Sequence, residues 1–224
     1  MIDIENIFLV EPDICKTVSL YFGSMDETDL AGGIDVLNSN GVKNISVLPD
    51  GVKIVWPWVE KNGVNIFARF YISDIDDSSL GEFVKQVNVV FKHGATGVQI
   101  FLNVKSLEKF TNVISSVRDD LFFNKFLSVG LDVDEIDTGN YETVLNNLIK
   151  LRADSLLLVL LKDTKTKSEF VGRVYGLLNA WNTDFSGALH FMAQTNPERY
   201  IQFYRLVNSL QPQLVKNIHM FLPY

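Results

Sequence analysis

Three side chains far apart in the sequence could together handle an anionic or polyol substrate. Arg69 offers a fixed positive charge, while Asp132 and His190 can each exchange a proton. Amides at Gln99, Asn103 and Gln194 could hold hydroxyl or carbonyl oxygens around them. Lys162, followed by Asp163, is an amine that would form an imine with a carbonyl substrate if it were desolvated. Asp132 and Asp134 share a strand parity and present hard oxygen ligands of the kind Mg²⁺ takes. Each has a plainer reading, and the sequence favours it. Arg69 would neutralise buried carboxylates in an internal network. Lys162-Asp163 would be a solvated turn. The acidic run 132–137 lacks the glycine and terminal Glu of a Ca²⁺ loop and reads as a turn capping the next helix. His93 and His219 are weak candidates, one at a helix end and one in a terminal strand. No GxGxxG, P-loop, GxSxG or HExxH is present.

These residues become one site only if a particular architecture gathers them. Eight short β-rich runs recur, at 18–22, 43–48, 65–73, 97–103, 126–132, 155–161, 187–194 and 218–222, their starts 22 to 32 residues apart. Between them lie stretches with helical spacing. Leu80, Phe83, Val84, Val87, Val90 and Phe91 fall at three- and four-residue steps, and Gly94 ends that run. Ser79 to Glu82 and Thr166 to Glu169 read as capping boxes, and Asn196-Pro197 as a helix start. Trp56-Pro57-Trp58 is either helix packing or an apolar interface, with packing favoured. Eight strand-plus-helix units predict a compact (β/α)8 TIM barrel, a single domain over residues 1–224. Within it, Asn65, Arg69, Tyr71, Gln99, Asn103, Ser128, Gly130, Asp132, Asp134, His190 and Gln194 fall on lumen-facing parities.

The sequence stops straight after the eighth strand, so residues 1–16 are expected to cover the barrel flank that a last helix would cover. Without cover, strand-eight side chains would be exposed and a homo-oligomer would follow. With 20 Lys+Arg against 27 Asp+Glu, the net charge of −7 argues against a nucleic-acid partner. The longest apolar run, 156–161, is too short to span a membrane. Cys15, the one cysteine, excludes an internal disulfide framework and fits a cytoplasmic location. The start, Met1-Ile2-Asp3-Ile4-Glu5, lacks the basic region of a secretory signal.

The chain also resembles the deoxyribose-phosphate aldolases and their class I aldolase relatives. Val18 to Phe22 followed by Met25-Asp26-Glu27-Thr28-Asp29 is similar to the family's first strand and Asp-Thr turn. Asn44 to Pro49 is similar to its second strand, His93 to Gln99 to its fourth-strand entry, and Arg152-Ala153-Asp154-Ser155 to the approach to its sixth. The resemblance spans roughly residues 17 to 195 and implies an aldolase-type barrel. The departures fall on the reaction. Gln99 stands where the family keeps an acid, Leu157 where it keeps the imine-forming lysine, and no lysine occurs in 185–196.

Three functional expectations follow. The first is a diverged aldolase-like barrel without Schiff-base chemistry, acting as a binding or interaction protein. The second is a lyase or isomerase acting on a small anionic or carbonyl ligand through Arg69, Asp132, Asp134 and His190. The third is a metal-assisted enzyme using Asp132 and Asp134. No cofactor is expected otherwise.

Overall fold

A computed structural model describes residues 17–24, 26–73, 75–162, 166–181, 184–194, 196 and 198–224. Eight strands close into one parallel barrel in sequence order. They are β1 (Val18–Tyr21), β2 (Asn44–Val47), β3 (Asn65–Tyr71), β4 (Gly97–Leu102), β5 (Phe126–Asp132), β6 (Ser155–Leu160), β7 (Ala188–Ala193) and β8 (Met220–Pro223). The main helices between them are α1 (Glu27–Asn40), α2 (Val52–Val59), α3 (Asp77–Lys92), α4 (Val104–Ser115), α5 (Tyr141–Leu151), α6 (Lys167–Ala180) and α7 (Glu198–Leu210). Every expected strand is present. The last begins two residues late, because a 3-10 turn over Pro212–Asn217 occupies the approach to it.

Helix starts follow the local chemistry with one shift. Thr166 and Glu169 form the expected capping box of α6. For α3 the cap is Asp76, not Ser79: the Asp76 carboxylate accepts the Ser79 N–H, and the Ser79 hydroxyl returns a bond to the Asp76 N–H. Asn196 Oδ1 accepts the Glu198 N–H ahead of α7, while Pro197 lies outside the described residues. Gly94, at φ 107°, takes the left-handed turn that ends α3, and its missing Cβ makes room for the Trp56 ring. Trp56 therefore packs on the core, as expected, although Trp58 is 42% exposed.

Two separate apolar bodies account for the high hydrophobic content. One lies between barrel and helices, from outward strand residues such as Ile45, Ile66, Val98, Leu131, Leu158 and Phe191. The other is the lumen itself, where Tyr21, Phe67, Phe101, Leu157, Val159, Met192 and Phe221 pack together. Register explains its order. Ser46 on β2 pairs with Tyr21 before it and Phe67 after it, and Gln99 with Arg69 and Ser128. Leu157 pairs in the same way with Gly130 and His190, and Phe221 with Met192 and Ser19. Each even-strand residue thus lies between two odd-strand levels, giving three stacked layers of four. They are Ser19/Phe67/Ser128/His190, then Ser46/Gln99/Leu157/Phe221, then Tyr21/Arg69/Gly130/Met192, the alternation a tilted eight-strand barrel requires.

The uncovered strand-eight flank does not exist. Met220 and Leu222 are fully buried, and Tyr224 lies over Gly32 and Gly33 of α1 and against the Phe22 ring at 5.7 Å. The two glycines let the ring approach the helix backbone, so an exposed strand-eight flank is not what would drive self-association. The expectation for residues 1–16 falls outside the described residues, as does Cys15. Among the described residues no helix is long and apolar enough to cross a membrane.

Candidate functional site

The residues read as one constellation are spread over three levels of the barrel. Asp132, the last residue of β5, lies at the C-terminal mouth, where it lines a shallow depression of ≈ 350 Å³ with Tyr71, Phe101, Asn103, Glu135 and Leu161. Arg69 is two positions deeper along β3 and only 1% exposed. His190 belongs to the lowest of the three layers and opens toward the opposite, N-terminal pole. Strand parity was read correctly for all three. Depth separates them, so no acid–base set of Arg69, Asp132 and His190 is assembled.

At the mouth, local bonding has already used much of the polar chemistry. Asp132 Oδ1 accepts the Asp134 N–H at 2.9 Å and caps the 3-10 turn Val133–Glu135. Burial pushes the Asp132 carboxyl above the usual carboxylate range, the charges of Asp134 and Glu135 push the same way, and the Asp134 N–H and Arg173 oppose them. Asn103 Oδ1 accepts the Ser106 N–H at 2.8 Å, and Glu135 accepts the Val104 N–H at 2.7 Å, so both serve the start of α4. Gln194 is exposed just beyond β7, and its backbone N–H reaches Leu160 O at 3.2 Å. Lys162 is exposed beyond β6, so the desolvation that would make it an imine-forming amine is missing there; Asp163 lies outside the described residues. Among the described residues no group of three or more His, Cys, Asp or Glu side chains converges as a metal site. One Asp132 oxygen, in the pair expected to hold Mg²⁺ with Asp134, already accepts a backbone N–H in the turn.

Below the mouth the lumen is filled. Arg69 pairs with no acid among the described residues: its guanidinium lies 3.6 Å from the Tyr21 ring centroid, and Nη2 donates to Phe22 O. The network expected around Arg69 is therefore cation–π and backbone in character, with no carboxylate in it. The Tyr21 and Tyr71 hydroxyls meet at 3.0 Å. Burial and this hydrogen bond push the Tyr71 phenol up to about 12. Gln99 is 1% exposed, and its Oε1 accepts the Ser46 hydroxyl. Leu157 and Val159 on β6, Met192 on β7 and Phe221 on β8 complete the lumen wall, all 1% exposed or less.

A wide cavity of ≈ 930 Å³ lies at the other pole, among the first residues of the strands and the loops before them. Its walls carry Asn44, Asn65, Lys125, His190, Lys216 and His219. His190 Nδ1 accepts the His219 N–H at 3.1 Å, which places the His190 proton on Nε2. Asn44 Nδ2 lies 3.2 Å from His219 Nδ1, and the two imidazole centroids are 4.8 Å apart. Burial lowers the pKa of both histidines, and for His190 the neighbouring His219 adds to the effect. His219 was missed as a partner. The signal was available, since it shares strand parity with the lumenal Phe221. Tyr21, the residue against Arg69, was also missed, and a Tyr in a strand of mixed apolar residues carries no signal of its own.

No protein-family model matches the chain, and no curated protein matches it in sequence. Its fold is shared with solved structures. A deoxyribose phosphate aldolase from Aeropyrum pernix, reported as a tetramer, superposes with a TM-score of 0.66 at 12% identity over 99% of this chain and 94% of that one. A Toxoplasma gondii protein provisionally assigned as deoxyribose-phosphate aldolase gives 0.73 at 12% identity, covering 98% and 91%. A Streptococcus agalactiae protein provisionally assigned as the copper homeostasis protein CutC gives 0.65 at 8%, covering 92% and 97%. The aldolase-type barrel is thus the fold of this chain.

Proposed function

We propose that this chain is an aldolase-type barrel that has lost Schiff-base aldol chemistry and works by binding. One observation carries the reading. The positions where a lumenal amine would attack a carbonyl are occupied by packed apolar side chains, Leu157 and Val159 on β6 and Met192 on β7. Among the described residues no lysine stands on a lumen-facing strand position. Gln99, on β4, has no proton to exchange. The test is borohydride reduction in the presence of short aldehydes and sugar phosphates, read by intact mass. A mass showing no stoichiometric, site-specific adduct supports the reading, and a stoichiometric reduced adduct on Lys162 overturns it.

A second reading is supported by Asp132. A carboxyl whose pKa is raised by burial, beside a depression that also holds Tyr71, is poised to donate a proton to a ligand at the C-terminal mouth. In that case the protein is a lyase or isomerase acting on a small carbonyl compound. Turnover of such a compound that disappears in Asp132→Asn would establish it. A self-associated form belongs to either reading, and sedimentation of the full chain reports on it.

A further inference from the structure

We infer that the upper lumen binds one small monovalent anion of chloride or bromide size, held by Nε and Nη1 of Arg69 and Nε2 of Gln99. These atoms belong to two residues that are register partners on adjacent strands and face the same interior. Each residue is only 1% exposed. One arm of each is fixed by a bond to the protein: Arg69 Nη2 donates to Phe22 O, and Gln99 Oε1 accepts the Ser46 hydroxyl. That second bond orients the amide so that its NH₂ points away from Ser46. The remaining donors, Arg69 Nε and Nη1 and Gln99 Nε2, have no hydrogen-bond partner among the described residues. One layer below Gln99 the buried Ser19 hydroxyl is likewise unpartnered.

Charge and donor count together select the ligand. Arg69 makes no ion pair with any described residue; it touches the Tyr21 ring, 3.6 Å away, and the neutral Phe22 carbonyl, neither of which cancels its charge. A buried guanidinium without a counter-charge is among the most costly arrangements a protein core can hold. Water would satisfy its hydrogen bonds and leave the charge in place. Water also brings two donors of its own, and the orphaned nitrogens here offer nothing to accept them. An anion accepts from all three nitrogens and cancels the charge. Size follows from the surroundings: the Tyr21 ring and Met192 share the layer of Arg69, and Phe101 fills the space above Gly130. These bulky neighbours favour a small ion over a larger ligand. The site is independent of any ligand at the mouth or at the N-terminal pole.

Thermal unfolding of the full chain, with sodium gluconate exchanged stepwise for sodium chloride at constant ionic strength, tests this. The midpoint should rise by about 3–5 °C at tenfold excess over the dissociation constant, and then in proportion to the logarithm of the chloride concentration. Gln99→Glu places a carboxylate beside Arg69 and should abolish the chloride dependence while raising the midpoint in gluconate. Crystals grown in bromide should show an anomalous peak within hydrogen-bonding distance of Arg69 Nε and Gln99 Nε2. A midpoint indifferent to chloride, or bromide confined to the protein surface, overturns the inference and assigns these donors to water. If Gln99→Glu does not fold, the bromide experiment on the unaltered chain decides alone.

Discussion

The guanidinium carbon of Arg69 stands 3.6 Å from the ring centroid of Tyr21, and the Tyr21 hydroxyl in turn meets that of Tyr71 at 3.0 Å. A cation, an aromatic face and a phenol thus form a column from the middle of the lumen to its mouth. Tyr21→Leu removes the face and the hydroxyl together, leaving the buried charge against an aliphatic side chain. The expected loss is about 2–4 kcal/mol in urea unfolding. Tyr21→Phe keeps the face and should lose under about 1.5 kcal/mol. Equal losses for the two variants would show that the hydroxyl pair, not the cation–π contact, carries the interaction.

The two imidazoles at the N-terminal pole make stability depend on pH. Burial depresses the folded-state pKa of His190 and of His219, so below about pH 6.5 the unfolded chain takes up protons that the native state refuses. Stability is full above that pH and falls as the pH is lowered through 6 toward 5. For His190 the slope is about 1.4 kcal/mol per pH unit. His190→Asn retains an oxygen that can accept the His219 N–H, and should flatten the acid loss measured between pH 7 and 5. An unaltered slope would show that His190 is protonated in the folded state as well.

Asp132 is expected to cost stability at neutral pH. Its folded-state pKa is raised, so the charged form is disfavoured once the pH exceeds the unfolded value near 4. Asp132→Asn keeps an acceptor for the Asp134 N–H and removes the charge. The midpoint at pH 7 should rise by about 1–3 °C, after allowance for partial solvent screening, and the gain should vanish in acid. A midpoint that falls instead would mean that the carboxylate stabilises the turn more than burial penalises it.

Gly97 opens β4 where three neighbours crowd its missing side chain. A Cβ there would lie 2.6 Å from Phe126 O, 2.7 Å from Phe126 Cβ and 3.0 Å from the Phe67 ring. Because one of these is backbone of the adjacent strand, rotamer changes cannot clear the space. Gly97→Ala should destabilise by about 1–3 kcal/mol, or prevent folding altogether. Gly172, on an open face of α6, is the control: a Cβ there meets nothing within 4 Å, and alanine should stabilise slightly.

Architecture was legible because it rests on periodicity. The recurrence of apolar runs placed all eight strands, and parity correctly turned Arg69, Gln99, Asp132 and His190 inward. Height along the barrel axis was not legible. It depends on strand tilt and stagger, which only the closed register fixes, and this is why Asp132 and His190 came to lie at opposite ends. That Leu157 stands where an aldolase would keep its lysine is an expectation from the resemblance alone; what the structure shows is Leu157 packed within the apolar lumen. Local capping was the other hidden quantity. In sequence Asn103 is expected to hold a ligand, and the acidic run containing Glu135 to cap the helix after it; instead both bind the start of α4, through backbone N–H groups that every residue carries alike.

Glu135 binding the Val104 N–H occupies a backbone donor at the rim. The first turn of a helix is where a strand-top site ordinarily seats a phosphoryl group, using the backbone donors and the positive end of the dipole. Here two of those donors are bound by the protein's own Asn103 and Glu135. A phosphorylated visitor would have to evict a resident carboxylate and then sit beside Asp132.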